Sequence, residues 1–199
     1  MSYISPINTR YKAPILSKIW SYDSKIIKMR QLWIDLAIFQ KELGITSITD
    51  EGIEEMTQNI CNIDYDKINE YETKFKHDIM AHIYAFSDLC PNAKKFIHLG
   101  ATSNFINDNV DMIIIKDSLT TINDLLFKLF YVLKEKSIIY INLPTLAYTH
   151  LQPAQLTTVG KRFTIWDSDI HIDLTNLDDI ITKLPFRGIK GTVGTEDTL

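Results

Sequence analysis

The chain has 199 residues, 45% of them hydrophobic, which is enough for one good core or two small subdomains. A net charge of −4, with both signs spread along the chain, gives no basic footprint for nucleic acid. The apolar runs are too short to span a bilayer and the start lacks a secretory pattern, so a cytoplasmic protein with no membrane partner is expected. Two cysteines, Cys61 and Cys90, are too few for a disulfide framework or a zinc site, and both are expected reduced and buried. Seven glycines and six prolines suit a helical protein better than a sandwich or barrel.

In chain order, Met1 to Pro14 reads as an extended arm, with Ser5-Pro6 and Ala13-Pro14 holding the backbone out of helix on either side of Arg10-Tyr11. A first helix is predicted from about Ser24 to Leu43, striped by Ile26, Met29, Leu32-Trp33, Leu36 and Phe39, with Gly44 at the position just past its end. Thr49 or Asp50 then caps a short helix holding Ile53 and Met56. Asp64 or Asp66 precedes one helix that carries Ile68, Tyr71, Phe75, Ile79 and Ala81-His82-Ile83 and ends near Cys90-Pro91.

An apolar turn, Phe96 to Asn104, leads into a long helical pattern from Val110 to Ile141. The β-branched runs Ile113–Ile115 and Ile138–Ile141 argue for strand there, but the sustained spacing of three and four favours helix. A Thr149-His150 pair then stands before Pro153, which reads as the start of a third long helix. Its seam is Leu156, Val159, Phe163, Trp166, Ile170, Leu174, Leu177 and Ile181. Each long helix would measure roughly 45 Å at 1.5 Å per residue, against about 42 Å for a compact globule of this chain length. Such helices leave flanks that one short chain cannot cover, which favours an oligomeric bundle. From Lys183 the chain reads as a glycine-bearing loop, and Gly194 to Leu199 stops with no cap or closing helix, as though cut.

Three polar clusters are candidates for chemistry. His77 and Asp78 adjoin each other, and Asp78 and His82 share a helix face; a third ligand for a metal is missing, and on these residues alone a solvated helix face is the favoured reading. Gly100-Ala101-Thr102-Ser103-Asn104 leads into a helix start, where hydroxyls and orphan N–H groups can cradle a carboxylate or phosphate, or the residues can simply cap. The third is Thr149-His150. At a helix start the dipole disfavours a protonated ring, so an acid role needs a facing carboxylate, and none is close in sequence. A histidine packed at a helix start is the alternative.

Taken together the clusters resemble a known family. Ser5-Pro-Ile-Asn-Thr-Arg-Tyr-Lys-Ala-Pro14, Lys76-His-Asp-Ile-Met-Ala-His82, Ile97-His-Leu-Gly-Ala-Thr-Ser103 with Asp108-Asn109, Thr149-His-Leu-Gln-Pro-Ala-Gln-Leu-Thr-Thr-Val-Gly-Lys-Arg162 and Phe186-Arg-Gly-Ile-Lys-Gly-Thr192 are similar to the motifs of adenylosuccinate lyases, in order and spacing. Thr157 to Arg162 resembles the eukaryotic-type enzymes in particular, within the fumarase/aspartase superfamily.

The resemblance implies an all-α fold, with an N-terminal arm and helical domain over 1–105 and, over 106–199, the first long helices of a bundle completed by other subunits. It implies a homotetramer with active sites shared between subunits, and no cofactor. The implied reaction is β-elimination of fumarate from adenylosuccinate and from the related succinyl-carboxamide ribotide of purine synthesis. By matching position, His150 would be the general acid and His77 would place the substrate, with Asp78 beside it. Thr102, Ser103 and Thr149 would hold the succinyl carboxylates, and Arg10 and Tyr11 the nucleotide phosphate, a bidentate task that suits Arg. The family's base is a serine on a Ser-Ser-x-Met-Pro loop, a motif that this sequence does not contain. A non-catalytic association module and another fumarate-releasing lyase are the rival readings; Arg10-Tyr11 favours a phosphorylated substrate over a plain amino acid.

Overall fold

A computed structural model describes residues 5–11, 13–191 and 193–195. Outside the described residues lie part of the expected arm (1–4 and 12), Thr192 of the glycine loop, and 196–199, where the cut end was expected. The fold is all-α with one small hairpin. By contacts it divides into two compact units, Met1–Ile115 with Pro185–Leu199, and Lys116–Leu184.

The first unit begins with two short helices where an extended arm was expected, α1 (Pro6–Arg10) and α2 (Pro14–Ile19). Each proline stands at the first helical position, where a missing N–H costs nothing. The restriction it imposes on the preceding residue is the extended conformation that an N-cap needs, and Ser5 and Ala13 adopt it. Helix α3 (Tyr22–Glu42) is capped by Ser21 and buries Ile26, Met29, Trp33, Ile34 and Ala37 on one stripe. Its end is a Schellman turn. Gly44 takes φ +97°, its N–H donates to the Lys41 carbonyl, and the Ile45 N–H donates to the Gln40 carbonyl.

Helix α4 (Asp50–Gln58) starts on Thr49, whose hydroxyl accepts from the Gly52 N–H at 3.2 Å. The single helix expected next is two, α5 (Tyr65–Phe75) and α6 (Asp78–Leu89). Lys76 adopts a left-handed φ of +55°, which ends α5, and His77 becomes the N-cap of α6. Apolar spacing runs smoothly across the break, so periodicity alone could not reveal it. Trp33, Met56, Phe86, Phe96, Ile106 and Val110 form the centre of the core. Arg30 is buried in it and remains charged because one guanidinium nitrogen donates to the carbonyls of Asn59, Ile60 and Asn62 at 2.8, 3.1 and 2.8 Å, while Phe86 lies 4.4 Å away under its carbon. Of the cysteines, Cys90 is buried as expected, its thiol pushed up to about 12 by burial; Cys61 is exposed, contrary to expectation.

Helix α7 (Ser103–Ile139) starts in the first unit and ends in the second. In the second unit, residues 144–158 correct the expected helix start at Pro153. They form an antiparallel hairpin, β1 (Pro144–Thr149) and β2 (Gln152–Thr158), with an irregularity at Ala147. Pro153 pairs with Tyr148 inside it; both strands of a two-stranded sheet are edges, where a residue without an N–H is tolerated. Helix α8 (Val159–Lys183) begins only after Thr158, whose hydroxyl accepts from the Lys161 N–H at 3.1 Å.

The end of α7 and the start of α8 are in close contact. The Gly160 N–H donates to the Tyr140 carbonyl at 2.9 Å, and a Cβ there would lie 2.5 Å from the Ser137 carbonyl oxygen. Tyr140 stacks on Phe163 and Phe130 lies against His171, so the helices run antiparallel. Of the expected α8 seam, Val159, Phe163, Ile170, Leu174, Leu177 and Ile181 are half-buried, whereas Trp166 is exposed and Leu156 lies exposed in β2. Among the described residues no helix is long and apolar enough to cross a membrane.

Candidate active site

The candidate residues fall in both units. In the first, Arg10 closes the last turn of α1 and Tyr11 follows as its cap, with the Arg10 guanidinium carbon 5.5 Å from the Tyr11 ring centre. Both are exposed, which leaves a cation and a phenol open to a ligand.

His77 and Asp78 are both exposed at the start of α6. His77 Nδ1 accepts from the Met80 N–H at 3.4 Å and lies 3.5 Å from Asp78 Oδ1. As the acceptor of the Met80 N–H, a neutral His77 ring carries its proton on Nε2. His82 does not belong with them. It is buried, its Nε2 lies 3.1 Å from the Tyr22 hydroxyl, and burial, with Arg30 second, pushes it down to about 4. The sequence placed Asp78 and His82 on one helix face; packing has put one in water and the other in the core.

Thr102 and Ser103 stand at the head of α7, half-buried. The Thr102 N–H is already occupied, since it donates to the Lys190 carbonyl at 3.2 Å, and the Thr102 carbonyl accepts from the Phe105 N–H at 3.0 Å. Of the cradle drawn from the sequence, the hydroxyls and the next N–H groups remain as donors. The turn before them is held from α3: Trp33 Nε1 donates to His98 Nδ1 at 3.0 Å and Gln40 Nε2 to the Leu99 carbonyl at 3.0 Å. His98 has φ +68° and is pushed down to about 4, chiefly by burial and next by nearby His77. An indole can only donate, so the neutral His98 ring carries its proton on Nε2. No role was assigned to His98, Asn109 or Arg187 from sequence, although all three lie inside the motifs; their partners are too distant in the chain to be paired by spacing.

In the second unit, Thr149 pairs with Gln152 across the mouth of the hairpin, and His150-Leu151 form its two-residue turn. Both turn residues are left-handed, at φ +50° and +63°. Such turns favour Asn-Gly, because a side chain in this region costs about 1–2 kcal/mol per residue. Leu151 is 99% exposed and obtains nothing from packing in return. Non-glycine residues held in this way concentrate at functional sites. His150 is exposed at the tip of a hairpin, nine residues before α8 begins.

The chain is 41% identical over 197 residues to adenylosuccinate lyase of Saccharomyces cerevisiae, a match covering 98% of this chain and 41% of that one. It is 42% identical over 195 residues to adenylosuccinate lyase of Schistosoma mansoni, covering 98% and 40%. It therefore spans less than half the length of the curated relatives it matches. Among solved structures, the 3-carboxy-cis,cis-muconate lactonizing enzyme of Pseudomonas putida superposes with a TM-score of 0.84 at 19% identity, over 96% of this chain and 44% of that one, a likeness of fold. The profile of the Lyase family matches residues 18–198. A match of that extent settles membership: the chain belongs to the Lyase family.

Proposed function

We propose that this chain carries the proton-donating and carboxylate-holding part of an adenylosuccinate lyase, which eliminates fumarate from adenylosuccinate and from the related succinyl-carboxamide ribotide in purine nucleotide synthesis. The observation that carries the reading is the 41% identity with a curated adenylosuccinate lyase across 98% of the chain. β-Elimination needs an acid at the leaving nitrogen, donors for the charge that builds on the carboxylate, and a base for the neighbouring C–H. His150, on its strained turn, is the acid. Thr102, Ser103 and Thr149 hold the succinyl carboxylates; His77, with Asp78 beside it, orients the substrate; Arg10 and Tyr11 take the phosphate. The base is supplied by a residue outside this sequence, because the Ser-Ser-x-Met-Pro motif is absent from it.

The site is completed by further copies in a cytoplasmic homotetramer. The apolar side chains that the second unit leaves exposed, among them Phe127, Tyr131, Ile138 and Trp166, support this. Concentration-dependent mass by light scattering is expected, and a strictly monomeric chain would count against it.

The reading is tested by joining this chain to the C-terminal part of the Saccharomyces cerevisiae relative and assaying fumarate release from adenylosuccinate. The chimera is expected to turn over, and its His150→Gln variant to keep its helicity while losing most turnover. Undiminished turnover in that variant removes His150 from the acid role; release by the 199-residue chain alone overturns the assignment of the base.

A further inference from the structure

We propose that Asn109 is a positioning residue for the Thr102–Ser103 turn, a role that rests on the reading of those residues as carboxylate donors. Asn109 is 2% exposed, and its amide binds the backbone of a residue 78 positions away at both of that residue's polar groups. Its Oδ1 accepts from the Arg187 N–H at 2.7 Å, and its Nδ2 donates to the Arg187 carbonyl at 3.0 Å. The Arg187 guanidinium bonds Asp108 Oδ2 at 2.5 Å, so two successive side chains of α7 hold one residue of the returning segment.

Three residues further on, the Lys190 carbonyl accepts from the Thr102 N–H. The dimensions of the two strands of chain agree. From Asn109 back to Thr102 is seven residues, two helical turns and about 10 Å along the axis. From Arg187 to Lys190 is three residues, which span about 10 Å when extended. The segment is thus laid along one flank of α7 with a rung at each end. The lower rung is a buried side-chain amide bonded through both its oxygen and its nitrogen; the upper one is a single backbone bond at the entrance to the cradle. Fixing Arg187 confines Lys190 to the neighbourhood of Thr102 and so determines which N–H of the helix start is consumed. The Ser103 N–H and the two hydroxyls are left to face a carboxylate.

Asn109→Ala removes the lower rung from the helix side. Arg187→Pro removes the donor N–H from the loop side and leaves the buried Asn109 in place, so a variant survives if the first fails to fold. Amide exchange by NMR on the 199-residue chain is expected to quicken at Thr102 by about tenfold or more in both variants, with Met56 and Val110 unchanged. Fumarate added to the wild-type chain is expected to shift the Ser103 amide, and to shift it less in the two variants. Unchanged exchange at Thr102 in a variant whose core amides stay protected overturns the clasp. A Ser103 amide indifferent to fumarate in the wild type overturns the carboxylate reading, and the positioning role with it, whatever the exchange data show. If Asn109→Ala loses core protection, Arg187→Pro alone decides.

Discussion

The two units solve the burial problem differently. In the first, α3, α4, α6 and the head of α7, with the turn from Cys90 to Ile97, surround a closed core in which Trp33, Met56, Phe86, Phe96 and Ile106 are each at most 1% exposed. In the second, two long antiparallel helices share one line of contact, and Ile138 and Trp166 remain 63% and 54% exposed. A pair of helices has one mutual face; a closed core needs a further layer on the remaining sides. The first unit is therefore expected to be stable by its own packing, and the second to depend on whatever covers it.

The sharpest test is to remove an equivalent aromatic from each. Phe86→Ala is expected to cost about 3–5 kcal/mol in urea unfolding, through a cavity in a closed core. Trp166→Ala should change the stability of the isolated chain by no more than about 0.5 kcal/mol, while reducing association. Equal losses from both would erase the distinction between the units.

Acid should separate them as well. In the folded chain His82 and His98 are held near 4 against an ordinary 6.5, both chiefly by burial. Between those values the unfolded chain binds protons that the folded chain does not. Stability thus rises with pH across that window and is lost as pH falls from 6.5 toward 4. The loss is about 2 kcal/mol per ring at pH 5. Hydrogen exchange should open α3 and α6 first; α8 opening over the same pH range would contradict this.

Two smaller effects address the second unit. Gly160→Ala places a Cβ 2.7 Å from the Ile141 Cα, and separating the helix ends is expected to cost about 1–3 kcal/mol. Loss of amide protection at Val159 and Gly160 would register it. Leu151→Gly should act in the other direction and stabilise the hairpin by about 1 kcal/mol, by relieving a left-handed leucine that touches nothing. A lower melting temperature for that variant would mean that Leu151 has a partner on another copy.

Much of this was legible from residues alone. Local rules are short-range, so the cap at Thr49, the glycine end of α3, the stripes of α3 and α8 and the motifs bearing His77, Thr102-Ser103 and His150 could be read directly. The hairpin was missed because Pro153 after a polar pair satisfies the pattern of a helix start as well as that of an edge strand. The signal against it was the cap Thr158 before Val159, together with the β-prone run from Thr145 to Thr149. The break at Lys76-His77 was invisible because apolar spacing continues through it.

The sequence by itself determined the helical class, the family and the identity of the polar groups, because those depend on composition, period and order. Only the tertiary structure decided which of them are available for chemistry. It buried His82 and left Asp78 in water, gave His98 its tautomer through Trp33, occupied the Thr102 N–H with Lys190, and moved His150 from a helix end to the tip of a strained turn. Each outcome is set by a neighbour tens of residues away or by a backbone conformation that no local pattern requires, and burial and hydrogen bonding to such neighbours fix protonation and donor supply.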